Sequence, residues 1–375
     1  MFSDLGLAES YLLDECEISN IADFLKLLVF NRSELTGQNG STDITSKVFQ
    51  TLDYISNTQL VNSINNTLNN ISAHYDLGND FFELFLDPTL TYSCPIWEEL
   101  HDNEDEVRTK SLDEEFDELY SAQLRKLHTI IRKAKLCKED HLLEIGSGWG
   151  ALSIEAVKLT GCKVTTLTLS IEQKLLAEKK IAEAGYDTKI NVVLMDYRDL
   201  LKSGMKFDKI ISIEMIEAVG KEYLSTYFNC CHSVLKEEGG IMVLQGITIH
   251  ESRYDDYCSR VDYIQKYIFP GGHTPSITAL VNAIKDGSDN QLVINDINNI
   301  GMHYTRALRL WREKFILNYE KIRQIDPTKY DDIFKRTWLF YLAYCEAGFA
   351  THCIGDIIMV LSRPNNQAIH EGIPM

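Results

Sequence analysis

The sequence predicts an α/β fold built on a Rossmann-like, mostly parallel sheet, and three observations carry that prediction. From about residue 141 onward, short apolar runs alternate with helix-periodic segments, the pattern of βαβ units. The first of those runs, Leu142 to Ile145, ends in Gly146, Ser147, Gly148, Trp149 and Gly150, and a helical pattern follows from Ala151. Strand-like runs fall near 142–145, 163–169, 190–195, 208–213, 240–247, 290–295 and 356–361, giving seven strands. The helices between them are expected at about 151–160, 171–184, 221–236 and 300–320.

The glycine turn comes first because it sets the ligand class. Backbone without Cβ atoms lets a ligand approach closely, and the following helix aims its first N–H groups at it. By itself such a turn also closes ordinary βα units. Its neighbours argue against a nicotinamide cofactor, which needs an acid for the ribose about 20 residues on, at the end of the second strand. Here that strand ends in Thr168, Leu169 and Ser170, with Glu172 and Gln173 opening the next helix. A ligand with a ribose but no pyrophosphate, such as an adenosyl sulfonium, suits this better. Seven strands without a ribose acid fit a methyltransferase-type sheet better than a dehydrogenase sheet.

Composition narrows the remaining classes. The 375 residues carry a net charge of −18, which excludes general nucleic-acid binding and plain electrostatic adhesion to an anionic membrane. Lipid contact must then come from a local patch. There are nine cysteines, none in Cys-x-x-Cys spacing, so they read as reduced thiols of a cytosolic protein, with no metal site expected. No apolar run reaches the 18 residues of a spanning helix, and no secretory signal is visible at the N-terminus.

In chain order, residues 1–70 are expected to form a helical N-terminal appendage with helices at 21–30 and 48–71 around a polar linker at 34–46. Residues 74–97 are dense in aromatic and small polar groups, either a half-buried connection or a lid over a cofactor. An acidic stretch at 98–118 reads as a solvated helix face. Arg125, Lys126, Arg132, Lys133 and Lys135 then place positive charge before the first strand, for solubility or for a headgroup. Three groups follow at carboxyl ends of strands, where open α/β sheets keep their sites. After the third strand Asp196 is an acid for an adenine amino group or a helix cap, beside Tyr197 and Arg198. After the fourth, Glu214 and Glu217 are candidate bases or helix-start acids. After the fifth come Gln245, Ile247, Thr248 and His250, the histidine read as a surface residue.

These motifs resemble the cyclopropane-fatty-acyl-phospholipid synthases, with the related mycolic acid cyclopropane synthases and fatty-acid C-methyltransferases. The resemblance runs from about residue 71 to 363. It is carried by His74 through Phe81, by Tyr92-Ser93-Cys94 and by Leu143 through Gly150. Thr168 through Gln173, Asp196 through Leu200, Glu217-Ala218-Val219-Gly220 and Tyr267 through Gly272 extend it, followed by Tyr304, Trp311 and Cys345. It implies an S-adenosylmethionine-dependent, seven-stranded methyltransferase sheet with a helical substrate cover. Residues 71–375 would be the catalytic domain, with a cofactor lid and helices at 71–140 and an α/β core at 141–375, including a substrate-covering insertion at about 248–290. It implies that Tyr92, Ser93, Glu144, Gly146, Ser147, Gly148, Trp149, Gly150, Thr168, Leu169, Ser170, Gln173, Asp196, Tyr197 and Arg198 hold S-adenosylmethionine. Cys94, Glu217, Ile247 and Tyr304 would surround a bicarbonate ion acting as general base. Cys345 matches a thiol once proposed as nucleophile in the family; chemically a nucleophile has no place in methylating an alkene, and its apolar setting suits packing.

The implied reaction is transfer of a methyl or methylene group to the cis double bond of an unsaturated phospholipid acyl chain, with a cyclopropane ring as the leading product. A methylene- or methyl-branched chain, or another small or sterol-like substrate on the same fold, is the alternative. The chain departs from the bacterial synthases at Gln245, where they carry a histidine; an amide donates to an anion but relays no proton. Tyr263, Tyr267, Phe269, Tyr304 and Trp311 are candidates for an aromatic wall around a carbocation. Arg306, Arg309 and Arg312, at helical spacing, are candidates for a lipid phosphate or a solvated face. The expected setting is cytoplasmic, peripheral at a membrane surface.

Overall fold

The structure is a computed structural model and describes residues 4–31, 77–99 and 110–370. The helix expected at 48–71 and the start of the aromatic motif at 74–76 lie outside the described residues. Strands β1 (His141–Ile145), β2 (Lys163–Thr168), β3 (Ile190–Leu194), β4 (Lys209–Ile213), β5 (Ile241–Ile249), β6 (Val293–Asn299) and β7 (Ile354–Ser362) form one sheet in the order β3-β2-β1-β4-β5-β7-β6. β1 to β5 pair in parallel, and β7 enters antiparallel between β5 and β6. The order reverses beside β1, so a crevice opens at the carboxyl ends of β1 and β4, the place where such sheets bind ligands. All seven expected strands are present; the sixth lies about three residues later than its apolar run suggested.

The longer helices are α1 (Asp4–Leu12), α2 (Ile21–Phe30), α3 (Leu112–Lys133), α4 (Ala151–Thr160), α5 (Ile171–Glu183), α6 (Leu224–Val234), α7 (Ile277–Gly287), α8 (Met302–Ile325) and α9 (Asp332–Ala350). Ser111 and Glu114 cap α3 reciprocally, satisfying two of its free N–H groups. The buried face of α3 carries Phe116, Leu119, Gln123, Leu127 and Ile130, with Lys126 in the same stripe. The pair α8 and α9 packs together, and α1 and α2 lie against α9 in the same hydrophobic core. The residues at 248–290 form two short helices and α7, of which α7 packs on α6.

Candidate active site

The β1–β3 half of the crevice is built from main chain. Gly146, Gly148 and Gly150 have φ of +97°, +46° and +90°, a region L side chains avoid. The turn is pinned to β2, because the N–H groups of Gly146 and Ser147 both donate to Leu167 O, at 3.0 and 2.8 Å. A Cβ placed on Gly148 would meet nothing within 4 Å, so this backbone faces open space. Beside it, Thr168 Oγ1 donates to Gln173 Oε1 at 2.9 Å, and Ser170 caps α5, with Leu169 half-buried between them. Asp196 caps the turn after β3 and accepts from Arg198 Nε at 2.8 Å, so the helix-cap reading of this acid is present in the structure. The Arg198 guanidinium in turn lies 5.5 Å from the Tyr197 ring centroid. Trp149 Nε1 donates to Asn79 Oδ1 at 2.7 Å and its ring meets Phe82, tying the 77–99 segment to the glycine turn. Glu144 sits below the turn, bonded to Ser153, and burial pushes its carboxyl up to about 7. Uncovered main chain at Gly148, a hydroxyl–amide pair at Thr168 and Gln173 and a carboxylate at Asp196 fit an adenosyl sulfonium.

The β4–β5–β7 half is built from buried side chains. Glu214, just past β4, has φ +45°, a left-handed backbone that costs a non-glycine residue about 1 kcal/mol. That conformation carries its carboxylate inward. Cys94 N–H donates to Glu214 Oε1 at 2.7 Å, Gln245 Nε2 donates to the same oxygen at 2.8 Å, and Tyr304 O–H donates to Oε2 at 2.7 Å. Gln245 Nε2 also donates to Asp356 Oδ2 at 2.7 Å. The register explains this pair: Ile247 faces Asp356 across β5 and β7, so Gln245 lies diagonally from Asp356 on the same face. Glu217 approaches β5 because Gly246 lacks a Cβ, which would stand 2.6 Å from Ile216 Cγ2. Its Oε1 accepts from Ile247 N–H at 2.5 Å, while its Oε2 is buried with no hydrogen-bond partner.

Electrostatics separates these three carboxyls. Burial raises Glu217 to about 8, with the neighbouring Glu214 charge adding to it, so Glu217 is largely a neutral acid at pH 7. Burial, then the Glu214 charge, lifts Asp356 well above the carboxylate range. Burial also raises Glu214, but the Cys94 N–H, the Tyr304 hydroxyl, Lys126 and a hydrogen bond from Asp356 oppose it. The proton of the coupled pair therefore rests on Asp356 and the charge on Glu214. Lys126 is fully buried, and its Nζ donates to Ser93 Oγ at 2.5 Å.

A bicarbonate ion does not fit this donor set. The Cys94 N–H, the Tyr304 hydroxyl and the Gln245 amide point at Glu214, and the Ile247 N–H points at Glu217. Every donor the sequence assigned to the ion is already held by a carboxylate of the chain.

Rings close the crevice. Tyr92 O–H and Tyr341 O–H lie 2.6 Å apart, Tyr92 packs on Trp311, and Tyr304 stacks on Phe349 at 4.5 Å. Phe269 meets Tyr341 edge-on. Of the expected aromatic wall, Tyr304, Trp311 and Phe269 are here, whereas Tyr263 packs on Phe340 and bonds Thr337 O, and Tyr267 packs on Tyr263 and bonds Glu9. Cys345 is not among the residues bonded around Glu214, and burial pushes its thiol far above neutrality, which suits packing. Two further expectations need correction. Arg306 and Arg309 pair with Glu115, Glu118 and Glu313, and Arg312 with Glu346, so these cations neutralise acids between helices instead of standing free for a phosphate. Lys126 is no headgroup contact, being interior. His250 is exposed, as the sequence suggested, and it caps the helix at 251–258 by accepting from Ser252 N–H.

Sequence reasoning missed Asp356, Lys126 and Phe349 as parts of this site. The signals were a lone acid inside the apolar run at 354–361 and a lysine within the apolar stripe of α3.

Among the described residues no helix is long and apolar enough to cross a membrane, and no group of acidic, histidine or cysteine side chains has the arrangement of a metal site. Comparison with known proteins places this geometry. The model of the mycolic acid cyclopropane synthetase family matches residues 62–357. The tuberculostearic acid methyltransferase UfaA1 of Mycobacterium tuberculosis is 38% identical over 280 residues, 75% of this chain and 61% of that protein. The cyclopropane-fatty-acyl-phospholipid synthase of Escherichia coli K12 is 35% identical over 291 residues, 77% of this chain and 66% of that one. The chain thus spans slightly under two thirds of these relatives. The structure of the mycolic acid cyclopropane synthase CmaA1 complexed with SAH and CTAB aligns with TM-score 0.66 at 27% identity, covering 78% of this chain and 97% of that one.

Proposed function

The chain belongs to the mycolic acid cyclopropane synthetase family of S-adenosylmethionine-dependent lipid methyltransferases, and from that premise we propose that it methylates the cis double bond of an unsaturated phospholipid acyl chain and closes a cyclopropane ring there. The observation that carries this reading is the Glu214 carboxylate held by Tyr304 amid packed aromatic rings, beside an open glycine turn. An unactivated alkene offers no proton to remove before attack, so the chain's first contribution is positioning and exclusion of water.

S-adenosylmethionine supplies the electrophilic methyl group when bound. Gly148 exposes the main chain for it, and Thr168, Gln173 and Asp196 offer the polar contacts. Tyr92, Tyr304 and Trp311 present ring faces to positive charge on the acyl carbon, each worth up to about 2 kcal/mol once desolvated. The buried rings of Phe82, Phe349 and Trp338 keep water from that carbon. A CTAB-complexed relative supports an alkyl chain as ligand.

A second reading, a methylene-branched chain, is favoured by Gln245. Where no histidine relays protons, deprotonation slows and a hydride shift on the chain gains time to precede it. Incubation of the chain with dioleoyl phospholipid vesicles and methyl-labelled cofactor, followed by proton NMR of the acyl chains, tests both. Labelled cyclopropane protons are expected; labelled vinylidene protons would replace the first reading by the second, and no label in lipid would sink both.

A further inference from the structure

We infer that the Glu214 carboxylate is itself the proton acceptor of the reaction, occupying with its own oxygens the place where a separate bicarbonate would be held. The inference rests on the alkene-methylation reading above. Four observations support it. Glu214 accepts from the Cys94 N–H, the Gln245 amide and the Tyr304 hydroxyl, the convergent donors an oxyanion requires. It does so from a left-handed backbone at φ +45°, a conformation that suits glycine, and strain of this kind concentrates where a side chain must be aimed. The groups facing it are arranged to leave the charge there: the buried Lys126 acts on it, Asp356 hydrogen-bonds toward it, and the half-buried Glu217 bonds Ile247 instead. Finally, Tyr304, one of its donors, stacks on Phe349 and meets Trp311 edge-on, so the carboxylate is bonded to a member of the aromatic cluster.

The step balances without a further reactant. After methyl transfer the acyl chain bears one positive charge. A C–H bond of the transferred carbon breaks, its electron pair forms the closing C–C bond, and the proton passes to a Glu214 oxygen. Cation and carboxylate are neutralised together, leaving a neutral lipid and a carboxylic acid whose proton returns to water when product leaves.

Potassium bicarbonate titrated calorimetrically into the chain saturated with S-adenosylhomocysteine tests this independently of turnover. Wild type is expected to show no saturable binding, and Glu214→Gly, which removes the carboxylate and relieves the positive φ, is expected to bind the ion. In carbon-dioxide-free buffer wild-type turnover is expected to be unchanged. Glu214→Gly is expected to lose about 10²–10⁴-fold and to regain turnover on adding bicarbonate. Glu214→Gln, filling the same space without a base, is expected to stay inactive with or without the ion. Saturable bicarbonate binding to wild type overturns the inference even if the glycine variant does not fold, as does wild-type turnover that falls when bicarbonate is removed. Failure to methylate any unsaturated lipid at any bicarbonate concentration would strike the proposed function, while the calorimetry still decides whether Glu214 fills the anion site.

Discussion

The two halves of the crevice are built by opposite means. On the β1–β3 side, binding groups come from a continuous turn and two short motifs, and the main chain is exposed where Gly148 lacks a Cβ. On the β4–β5–β7 side, Cys94, Lys126, Glu214, Gln245, Tyr304 and Asp356 come from six separate segments and are buried or nearly so. A cofactor that enters and leaves each cycle needs an approachable surface, which backbone N–H groups provide without side-chain ordering. A base that meets a carbocation needs the reverse, a fixed charge kept from water, and only a packed interior supplies it.

The largest expected effect separates the halves outright. Glu214→Gln should lower turnover by about 10²–10⁴-fold while leaving the affinity for S-adenosylmethionine, read by calorimetry, unchanged. A parallel loss of cofactor affinity would show that the halves are not independent. Gly148→Ala should do the converse. The new Cβ enters the open space, and its left-handed φ costs about 1–2 kcal/mol, so cofactor affinity should fall about tenfold with the pH profile of turnover retained.

A third effect appears in stability. The folded chain holds the Glu217 proton up to about pH 8, whereas an unfolded glutamate releases it near pH 4.3. The native state therefore binds the extra proton between these values, and stability falls as pH rises through that window, by up to about 1.4 kcal/mol per pH unit. Glu217→Gln removes this dependence. Thermal midpoints of the two chains should be close near the low end of the window and diverge toward pH 8, the variant melting higher. A constant gap would mean that Glu217 is ionised throughout. The smallest effect is expected at Cys345, whose half-buried thiol is held protonated and is not among the groups hydrogen-bonded to Glu214. Cys345→Ala should leave turnover unchanged and cost about 1 kcal/mol in denaturant unfolding, whereas a large loss of turnover at unchanged stability would restore it to the chemistry.

Much of the fold was legible because its signals are local. Val164 to Thr168 is rich in β-branched residues and Met242 to Leu244 is apolar, each a strand signal by itself, and Gly146, Gly148 and Gly150 mark a turn that needs positive φ. The sixth strand was read early because Asn290 and Asp289 also have left-handed backbones, extending the turn beyond what composition shows. Glu217, Tyr304 and Cys94 were named from motif likeness and Gln245 as a departure from it, and all four lie in this half of the crevice. Which carboxylate receives their hydrogen bonds was not legible, since Glu214 and Glu217 stand three residues apart in similar surroundings. The arginines of α8 illustrate the same limit: their spacing was visible, their acidic partners on α3 and α9 were not.

By itself, then, the sequence determined the sheet, the glycine turn and the exclusion of a ribose acid, all consequences of backbone preference and apolar period over a few residues. Tertiary structure alone decided that Asp356 lies diagonally from Gln245 across β5 and β7, that Lys126 is interior and that Glu214 receives the hydrogen bonds of Cys94, Gln245 and Tyr304. The physical reason is that burial and charge pairing are properties of a whole neighbourhood. A carboxylate's proton depends on groups that approach it from distant strands, helices and loops, as Tyr304 and Cys94 reach Glu214 from 90 and 120 residues away.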